Sequence, residues 1–246
     1  MTVAWVTHHL PRRKQHEWEL PDGMVGGAEM TDAAMIAAAP SDVEVHLYGP
    51  DEWQKALEAD RIIITGTDLL TREAMHVLAQ RKPIVWVHHQ QQPSASRHEL
   101  FAAADPFVTM SEAHSQIEAE WSGVFSEWCH GLIDLPIEPA EKHDAALWAA
   151  RNHPQKGRIG ARLWAMRAGV PLTEMCDEPR QVVLDAMARH RWFVFLPKGF
   201  DSCPRTLIEA EAAGCEIITN HLAGRRDPGD LREVIAYQAV KFWQWL

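Results

Sequence analysis

The 246-residue chain lacks long apolar runs, paired cysteines and a basic leader. No run approaches the roughly 20 apolar residues of a membrane-spanning helix, and the first residues lack the basic segment of a secretory signal. The four cysteines show no Cys-x-x-Cys spacing, which is typical of isolated, reduced thiols. We therefore expect a cytoplasmic protein and leave a peripheral attachment to a membrane open.

Positive charge is also scarce. There are 24 lysines and arginines against 34 acidic residues, which gives a formal net charge of −10. This balance argues against broad binding to nucleic acid or to an anionic membrane surface. The chain has neither a Walker-type Gly-Lys-Ser/Thr loop nor a Gly-x-Gly-x-x-Gly fingerprint, so we expect neither a P-loop phosphotransferase nor a dinucleotide site.

Strand and helix patterns alternate along the whole chain. The apolar run Val3–Thr7 predicts a buried parallel strand, and a helix follows the next long loop. A proline-containing polar stretch, 135–144, predicts a linker, after which the alternation restarts. The sequence therefore predicts an α/β protein with domains at 1–136 and 137–246, and a last helix, 231–246, that packs back toward the N-terminal domain.

Two carboxylates lie eight residues apart in the second half. Asp201 follows the predicted strand Trp192–Leu196, and Glu209 lies within the next predicted helix. Open α/β sheets bind ligands at the carboxyl edge of their strands, where both acids are expected. On the same loop, Lys198 is suited to a phosphate or sugar contact or to solvent exposure, and Ser202 begins a run of N–H groups that open the helix.

A pair of cations follows the first predicted strand of the second half. Arg151 and Lys156 lie within the stretch Arg-Asn-His-Pro-Gln-Lys-Gly that ends at Gly157. A planar guanidinium and an ammonium point charge together suit an anionic ligand. The alternative is an exposed basic turn without a ligand.

Adjacent histidines end two predicted strands, His8 and His9 in one case and His88 and His89 in the other. Successive side chains point to opposite faces of a strand, so which member of the second pair meets a ligand stays open, with His88 preferred. Such pairs also suggest a metal site. Because no third ligand stands at a helical or hairpin spacing, we expect no metal ion.

Four segments together resemble the retaining, family-4 type of GT-B glycosyltransferases. The acids with the tail Leu-Ile-Glu-Ala-Glu-Ala-Ala-Gly are similar to its acid-x7-acid motif, although Asp201 stands where the family usually has Glu. The cation segment resembles its Gly-Arg-x-x-x-x-Lys-Gly, with Ala150 in place of the first Gly. Gly26-Gly27-Ala28-Glu29 resembles its Gly-Gly-x-Glu, and the stretch 130–134 resembles its Asn-Gly-Ile-Asp linker.

The resemblance implies two Rossmann-like domains facing across a cleft. It also implies transfer of a sugar from a nucleotide-diphosphate donor to an acceptor hydroxyl with retained anomeric configuration and no metal or cofactor. Asp201 would orient sugar hydroxyls and Glu209 would bind the ribose. The implied catalytic residues are Asp201, Glu209 and His88. The implied donor-binding residues are Arg151, Lys156, Gly26, Gly27, Glu209, Lys198 and Ser202.

A second interpretation is a noncatalytic nucleotide- or carbohydrate-binding protein of the same fold. The departures from the family pattern at Asp201 and Ala150 support it. Under either interpretation the donor sugar, the base and the acceptor stay open. The acceptors to consider are a glycan, a lipid-linked sugar, a small molecule and a modified base.

Overall fold

The computed structural model describes residues 1–9, 12–14, 17–18, 27–133, 140–224 and 231–246, with the backbone alone at 12–14, 17–18 and 231–236. Contacts divide the chain into two units. The first contains Met1–Pro21, Ala28–Ile133 and Asp227–Leu246, and the second contains Asp22–Gly27 and Asp134–Arg226. The first unit is therefore built from segments on both sides of the second in the sequence.

Strands and helices alternate in both units. From the N-terminus they are β1 (Thr2–Val6), β2 (Arg12–Lys14), β3 (Glu17–Trp18), α1 (Gly27–Ala37), β4 (Glu44–Tyr48), β5 (Arg61–Ile64), α2 (Arg72–Ala79), β6 (Ile84–Trp86), α3 (Ala95–Ala103), β7 (Phe107–Thr109), α4 (Glu112–Ser122) and β8 (Glu127–Trp128). The later ones are β9 (His143–Ala150), α5 (Arg158–Ala168), β10 (Leu172–Cys176), α6 (Arg180–Arg189), β11 (His190–Phe195), α7 (Arg205–Ala212), β12 (Glu216–Thr219) and α8 (Leu231–Trp243).

The first unit contains a six-stranded parallel sheet of order β4-β1-β5-β6-β7-β8. Val3 of β1 stands opposite Val45 on one side and Arg61 on the other, which fixes the register of the three strands. The apolar runs of β1 and β5 are buried, as expected for strands covered on both faces. The parallel order brings the carboxyl ends of β1, β5 and β6 to neighbouring positions at one edge.

Serine and threonine caps begin three helices of the first unit. The side chains of Thr71, Ser94 and Ser111 accept hydrogen bonds from backbone N–H groups at the starts of α2, α3 and α4. Each cap satisfies one of the donors that a helix leaves without an intrahelical partner.

The last helix, α8, packs within the first unit. Phe242 is fully buried, with its ring centroid 5.8 Å from that of Trp5 and 4.7 Å from that of Trp86. The indole N–H of Trp243 donates to the carbonyl of Met35 at 3.2 Å, and Gln238 accepts from the backbone N–H of His130 at 3.0 Å. These contacts make α8 a part of the core formed by the chain's first half.

The second unit contains a four-stranded parallel sheet of order β10-β9-β11-β12. Leu147 and Phe193 belong to the core on the face that α6 and α7 cover. Trp148 and Val194 belong to the core with Ala161 of α5 on the other face. Helices on both faces of a parallel sheet define a doubly wound, Rossmann-like unit.

The predicted alternation agrees with the observed elements, and their bounds differ by a few residues. The strand predicted at Trp192–Leu196 is observed at His190–Phe195. The short strands β2, β3 and β8 have no predicted counterparts, because two or three residues are too few to show a period, and β2 and β3 lie in the predicted loop after β1. The predicted linker overlaps 134–139, which lie outside the described residues. None of the helices that the structure describes is both long and apolar enough to cross a membrane.

Candidate functional site

The second unit brings together two of the residues that the sequence singles out. Lys156 ends a short 3-10 turn, Pro154–Lys156, that follows β9, and Asp201 follows β11. The Lys156 ammonium donates to Oδ2 of Asp201 at 2.6 Å. The two side chains are 34% and 18% exposed. This is a charge-assisted pair that solvent and a ligand can still reach.

Backbone geometry holds the turn before Lys156 against the loop after β11. Gly157 has a φ of +76°, and a Cβ there would lie 1.9 Å from the carbonyl oxygen of Leu196, so no larger residue fits. The indole N–H of Trp148 donates to the carbonyl of Lys156 at 3.0 Å. The N–H of Lys198 donates to the carbonyl of Gln155 at 2.8 Å. The neighbouring strands β9 and β11 thus carry loops that are tied to each other.

The loop that carries Asp201 is also fixed by the segment after β12. The N–H of Asp201 donates to the carbonyl of Leu222 at 2.8 Å, and its carbonyl accepts from Gly224 at 2.7 Å. The side chain of Asn220 donates to the carbonyl of Pro197 at 2.9 Å. Asp201 is therefore held by backbone bonds, and its carboxylate position does not depend on the pair with Lys156 alone.

Glu209 occupies a different electrostatic environment. It lies in α7, is 4% exposed, and accepts from Nε of Arg180 at 3.0 Å. Nε of Arg205, one helical turn earlier, lies 3.9 Å from the same carboxylate oxygen. Arg205 is itself buried. Two guanidinium groups thus compensate the buried charge of Glu209, whereas Asp201 has the ammonium of Lys156.

The other predicted donor-binding residues lie at several places. Arg151, directly after β9, and Lys198, on the loop after β11, are exposed. Ser202 is 6% exposed just before α7. Gly27 begins α1 and is grouped with the second unit, while Gly26 lies outside the described residues.

The first unit holds a buried carboxylate that the sequence analysis missed. Asp32 of α1 is 0% exposed, and its Oδ2 lies 3.0 Å from Nδ1 of His9. The hydroxyls of Thr7 and Thr65 each donate to the same oxygen at 2.8 Å. Nε2 of His88 lies 3.4 Å from the other oxygen, Oδ1. We call His9, Asp32 and His88 the histidine–aspartate cluster.

Burial and charge set the protonation of this cluster. Burial alone lowers the pKa of His9, but the hydrogen bond and charge of Asp32 outweigh it, so the pKa of His9 is raised. Burial alone raises the pKa of Asp32, but the two imidazoles and the Thr65 hydroxyl outweigh it, so this pKa is lowered. Burial lowers the pKa of His88 to about 3, which makes its ring neutral near pH 7.

His88 and His89 face different surroundings, as alternation along a strand predicts. The side chain of His88 is 3% exposed, whereas that of His89 is 54% exposed. Nε2 of His89 lies 2.9 Å from Asp68, which Arg97 also contacts at 3.0 Å. The hydrogen bond with His89 is the largest cause of the lowered pKa of Asp68. The exposed member of the pair is thus a surface group with a carboxylate partner.

Asp32, Arg205 and Arg180 are part of these arrangements but were not predicted, and the sequence indicates some of them better than others. Asp32 directly precedes the apolar run Ala33–Met35 of its helix, and an acid in that position deserves a search for a buried partner. Arg205 precedes Glu209 by four residues, a spacing that places both side chains on one helix face. Arg180 has no local signal, because it reaches Glu209 from another helix.

No protein-family model matches the chain, and no curated protein matches its sequence significantly. Solved structures do match. AviGT4, a glycosyltransferase involved in avilamycin A biosynthesis, is 14% identical with a TM-score of 0.62, covering 98% of this chain and 92% of that one. HepE from Anabaena, in complex with UDP and glucose, is 12% identical with a TM-score of 0.60, covering 98% and 90%.

A third match is an alpha-glucosyltransferase in complex with UDP and a 13-mer DNA containing an HMU base. It is 12% identical with a TM-score of 0.51, covering 89% of this chain and 79% of that one. At these identities the likeness shows the fold alone. The chain has the α/β GT-B fold, which it shares with these neighbours over 89–98% of its own length.

Proposed function

We propose that this protein is a retaining glycosyltransferase that moves a sugar from a nucleotide-diphosphate donor to an acceptor hydroxyl. The observation that carries the proposal is the contact of Lys156 with Asp201. Two residues 45 positions apart, each expected at the donor, lie 2.6 Å apart at the carboxyl edge of a parallel sheet. In open α/β sheets this edge is where ligands bind.

The cations serve the diphosphate in this proposal. Lys156 is partly exposed and bound to Asp201, so phosphate oxygens can replace the carboxylate as its partner. Arg151, exposed on the same turn, adds a planar pair of donors. The two positive charges stabilise the charge that develops on the leaving nucleoside diphosphate, and the transfer needs no metal ion there. Lys198 and the N–H groups from Ser202 onward add further donors to the same edge.

The two acids serve different parts of the donor. Asp201, once Lys156 turns to the phosphates, accepts hydrogen bonds from hydroxyls of the transferred sugar. Glu209 accepts from the ribose hydroxyls, and its contacts with Arg180 and Arg205 orient the carboxylate. Asp201 is one methylene shorter than the usual glutamate, so the sugar has to approach the loop more closely.

The roles assigned to Gly26, Gly27 and His88 rest on the resemblance. Two glycines at the start of a helix let a ligand approach its backbone N–H groups. His88 is assigned to the donor sugar, but its side chain is 3% exposed. The 54% exposure of His89 favours the latter for any direct contact with a ligand.

The neighbours guide the choice of donor and acceptor. Two of the three contain UDP, so uridine diphosphate is the nucleotide to test first. One of them contains DNA, which keeps a modified base among the candidate acceptors, beside a glycan, a lipid-linked sugar and a small molecule. The net charge of −10 disfavours a purely electrostatic attraction to DNA.

We also propose a cytoplasmic location. All four cysteines are free: Cys129, Cys176, Cys203 and Cys215. Free thiols at every cysteine are typical of reducing compartments.

A thermal-shift screen with UDP, GDP, ADP, CDP and TDP tests the proposal first. The bound nucleotide is expected to stabilise the protein by about 2.7 kcal/mol at a concentration of a hundredfold its Kd. The matching nucleotide sugars then enter a donor-hydrolysis and transfer assay, in which NMR reports the anomeric configuration of the product.

The outcomes separate the interpretations. Binding with turnover and a retained anomer supports the full proposal, whereas an inverted anomer overturns the retaining mechanism only. Binding without transfer or hydrolysis supports the noncatalytic interpretation. If no nucleoside diphosphate shifts the melting temperature, the assignment of the site to a nucleotide-diphosphate donor is wrong.

A further inference from the structure

The histidine–aspartate cluster has the composition of a metal site. Among the residues that the structure describes, His9, Asp32 and His88 form the only group of three histidine, cysteine or acidic side chains whose ligand atoms converge within 4.8 Å. The sequence alone predicts no metal ion, because no third ligand stands at a helical or hairpin spacing. The fold supplies that ligand from α1, which lies between the other two in the sequence.

The distances within the cluster fit ligands that share one ion. Nε2 of His88 and Oδ1 of Asp32 are 3.4 Å apart, longer than the roughly 2.7–3.2 Å of an ordinary N–H···O hydrogen bond. Two ligands of one tetrahedral Zn²⁺, each about 2.0–2.1 Å from the metal, lie roughly 3.3–3.4 Å apart. Nδ1 of His9 is 3.0 Å from Oδ2, so a small displacement of this ring brings it to the same spacing.

The two imidazole rings approach the same carboxylate. The imidazoles of His9 and His88 are nearly parallel, with centroids 5.1 Å apart and planes inclined by 27°. Each ring presents a nitrogen to one oxygen of the same carboxylate. The ligand atoms of the three groups lie within 4.8 Å of one another, so an ion at the edges of the rings, beside the carboxylate, is within reach of all three.

The surroundings hold the three groups in place. Thr7 and Thr65 donate their hydroxyls to the Asp32 carboxylate, and the indole N–H of Trp5 donates to Oγ1 of Thr65 at 3.2 Å. The ring of Trp86 packs edge-on against that of His88, with centroids 4.7 Å apart. Hydrogen bonds that orient ligating carboxylates, together with packed rings, are the outer-shell features of protein metal sites.

We propose that His9, Asp32 and His88 bind one divalent transition-metal ion of the zinc type, with water completing its coordination. Two imidazoles and one carboxylate suit Zn²⁺, Co²⁺ or Fe²⁺ better than Mg²⁺ or Ca²⁺, which prefer sets of oxygen ligands. In the metal-bound form, Nδ1 of His9 and the Asp32 carboxylate each bind the ion, and these two bonds replace the hydrogen bond between the two side chains. The site belongs to the first unit, and its occupancy does not depend on the proposed transfer reaction.

Metal binding is measured on the full chain after removal of bound metal with a chelator. Equilibrium dialysis against Zn²⁺ is expected to give one tightly bound equivalent. Co²⁺ is expected to give visible ligand-field bands of a four- or five-coordinate ion.

Asp32→Asn and His88→Gln are each expected to weaken Zn²⁺ binding more than about 100-fold, beyond the 10- to 100-fold typical of losing an outer-shell partner. Thr65→Val, which removes an outer-shell hydroxyl, should fall within that range.

The matched control is His89→Ala, which removes the adjacent exposed histidine and should leave the Zn²⁺ affinity unchanged. The chain has 14 histidines, so binding at surface histidines is the main competing outcome. Affinity that falls in His89→Ala but not in His88→Gln overturns the proposal, as does the absence of stoichiometric binding to the parent.

A crystal of the parent soaked with Zn²⁺ keeps the test decisive if the variants fold poorly. An anomalous peak at the zinc edge between the three side chains is the expected result, and a peak confined to other residues contradicts the assignment. Because neither readout uses nucleotide binding or turnover, the failure of this proposal and the failure of the proposed function are distinguishable.

Discussion

Each unit has charged groups near the carboxyl edge of its sheet, but the two sets differ in exposure and in the partners that surround them. In the second unit, Lys156 and Asp201 stay partly exposed and form a simple ion pair. In the first unit, Asp32 is fully buried and is surrounded by two imidazoles and two hydroxyls. A solvent-accessible pair can exchange partners at little cost, whereas a buried carboxylate requires permanent ones. The sheet edge of the second unit therefore suits a ligand that binds and leaves, and that of the first unit suits a partner that stays bound.

The largest expected effect follows from removing the buried charge. Asp32→Asn is expected to lower the free energy of unfolding by about 3–5 kcal/mol, because His9 loses its charged partner inside the protein. Asp201→Asn should cost no more than about 1 kcal/mol, since its pair is partly exposed. Urea unfolding of both variants measures the contrast. Equal costs would show that the two edges do not differ in this way.

Loss of the ammonium in the second unit comes next. Lys156→Ala is expected to weaken nucleoside-diphosphate binding by about 1.5–3 kcal/mol, the range for a charged hydrogen bond. Calorimetry with the nucleotide that the parent accepts provides the measurement. Lys55→Ala is the matched control, because Lys55 pairs with Glu52 on the surface of the first unit. Parent-like affinity in Lys156→Ala would remove this residue from the donor site.

Substitutions of Glu209 and Asp201 should change different kinetic parameters. Glu209→Gln is expected to raise the donor KM, by about tenfold for a loss of about 1.4 kcal/mol, because a carboxylate accepts better from ribose hydroxyls. Asp201→Asn should lower kcat while affinity for the free nucleoside diphosphate stays nearly unchanged.

Steady-state kinetics and calorimetry of both variants test this contrast. Loss of nucleotide binding in Asp201→Asn but not in Glu209→Gln would reverse the two roles. Parent-like affinity and turnover in both would exclude the acid pair from the site.

A smaller effect on stability is expected for Glu174, whose ion pairs lie outside the two sites compared above. Glu174 contacts Arg158 and Arg162, and its hydrogen bond with Arg162 is the largest cause of its lowered pKa. A lowered pKa contributes stability that is present above the ordinary value of 4.5 and is lost as the pH falls through the folded-state value. Glu174→Gln should therefore cost less than about 1 kcal/mol at pH 7. Urea unfolding at pH 7 and pH 3 should show this difference shrinking in acid, and a difference that grows there would contradict the pairing.

The smallest expected effect is that of chelation on turnover. Transfer should persist in excess EDTA, because Lys156 and Arg151 take the role of a divalent ion at the diphosphate. Metal removed from the histidine–aspartate cluster should lower the melting temperature of the protein without stopping transfer at temperatures where the protein stays folded. Transfer that EDTA abolishes and Mn²⁺ or Zn²⁺ restores would mean that the reaction requires the metal.

The order of strands and helices could be predicted from the sequence because apolar runs, glycines and prolines mark each element locally. The positions of Lys156 and Asp201 after strands follow from the same local signals. Their contact also depends on β9 and β11 being neighbours in the sheet, which no local pattern states. The resemblance to a family supplied the expectation that both serve one ligand.

The histidine–aspartate cluster could not be predicted in the same way. His9 and His88 follow β1 and β6, with β5 between these strands, and Asp32 comes from a helix. Three elements separated in sequence meet only after the sheet order is set. Local spacing therefore misses such a site, and the clue in the sequence is Asp32 beside the apolar run of its helix.

The membership of α8 in the first unit has a consequence for the order of folding during synthesis. Residues 140–224 of the second unit are contiguous, so they can fold as soon as they leave the ribosome. The first unit cannot complete its core until α8 has been synthesised. Until then the faces of Trp5 and Trp86 that Phe242 covers remain open to water. Domains generally fold in order from the N-terminus. Here we expect the nascent chain to finish its later unit first and to need protection from aggregation in the interval.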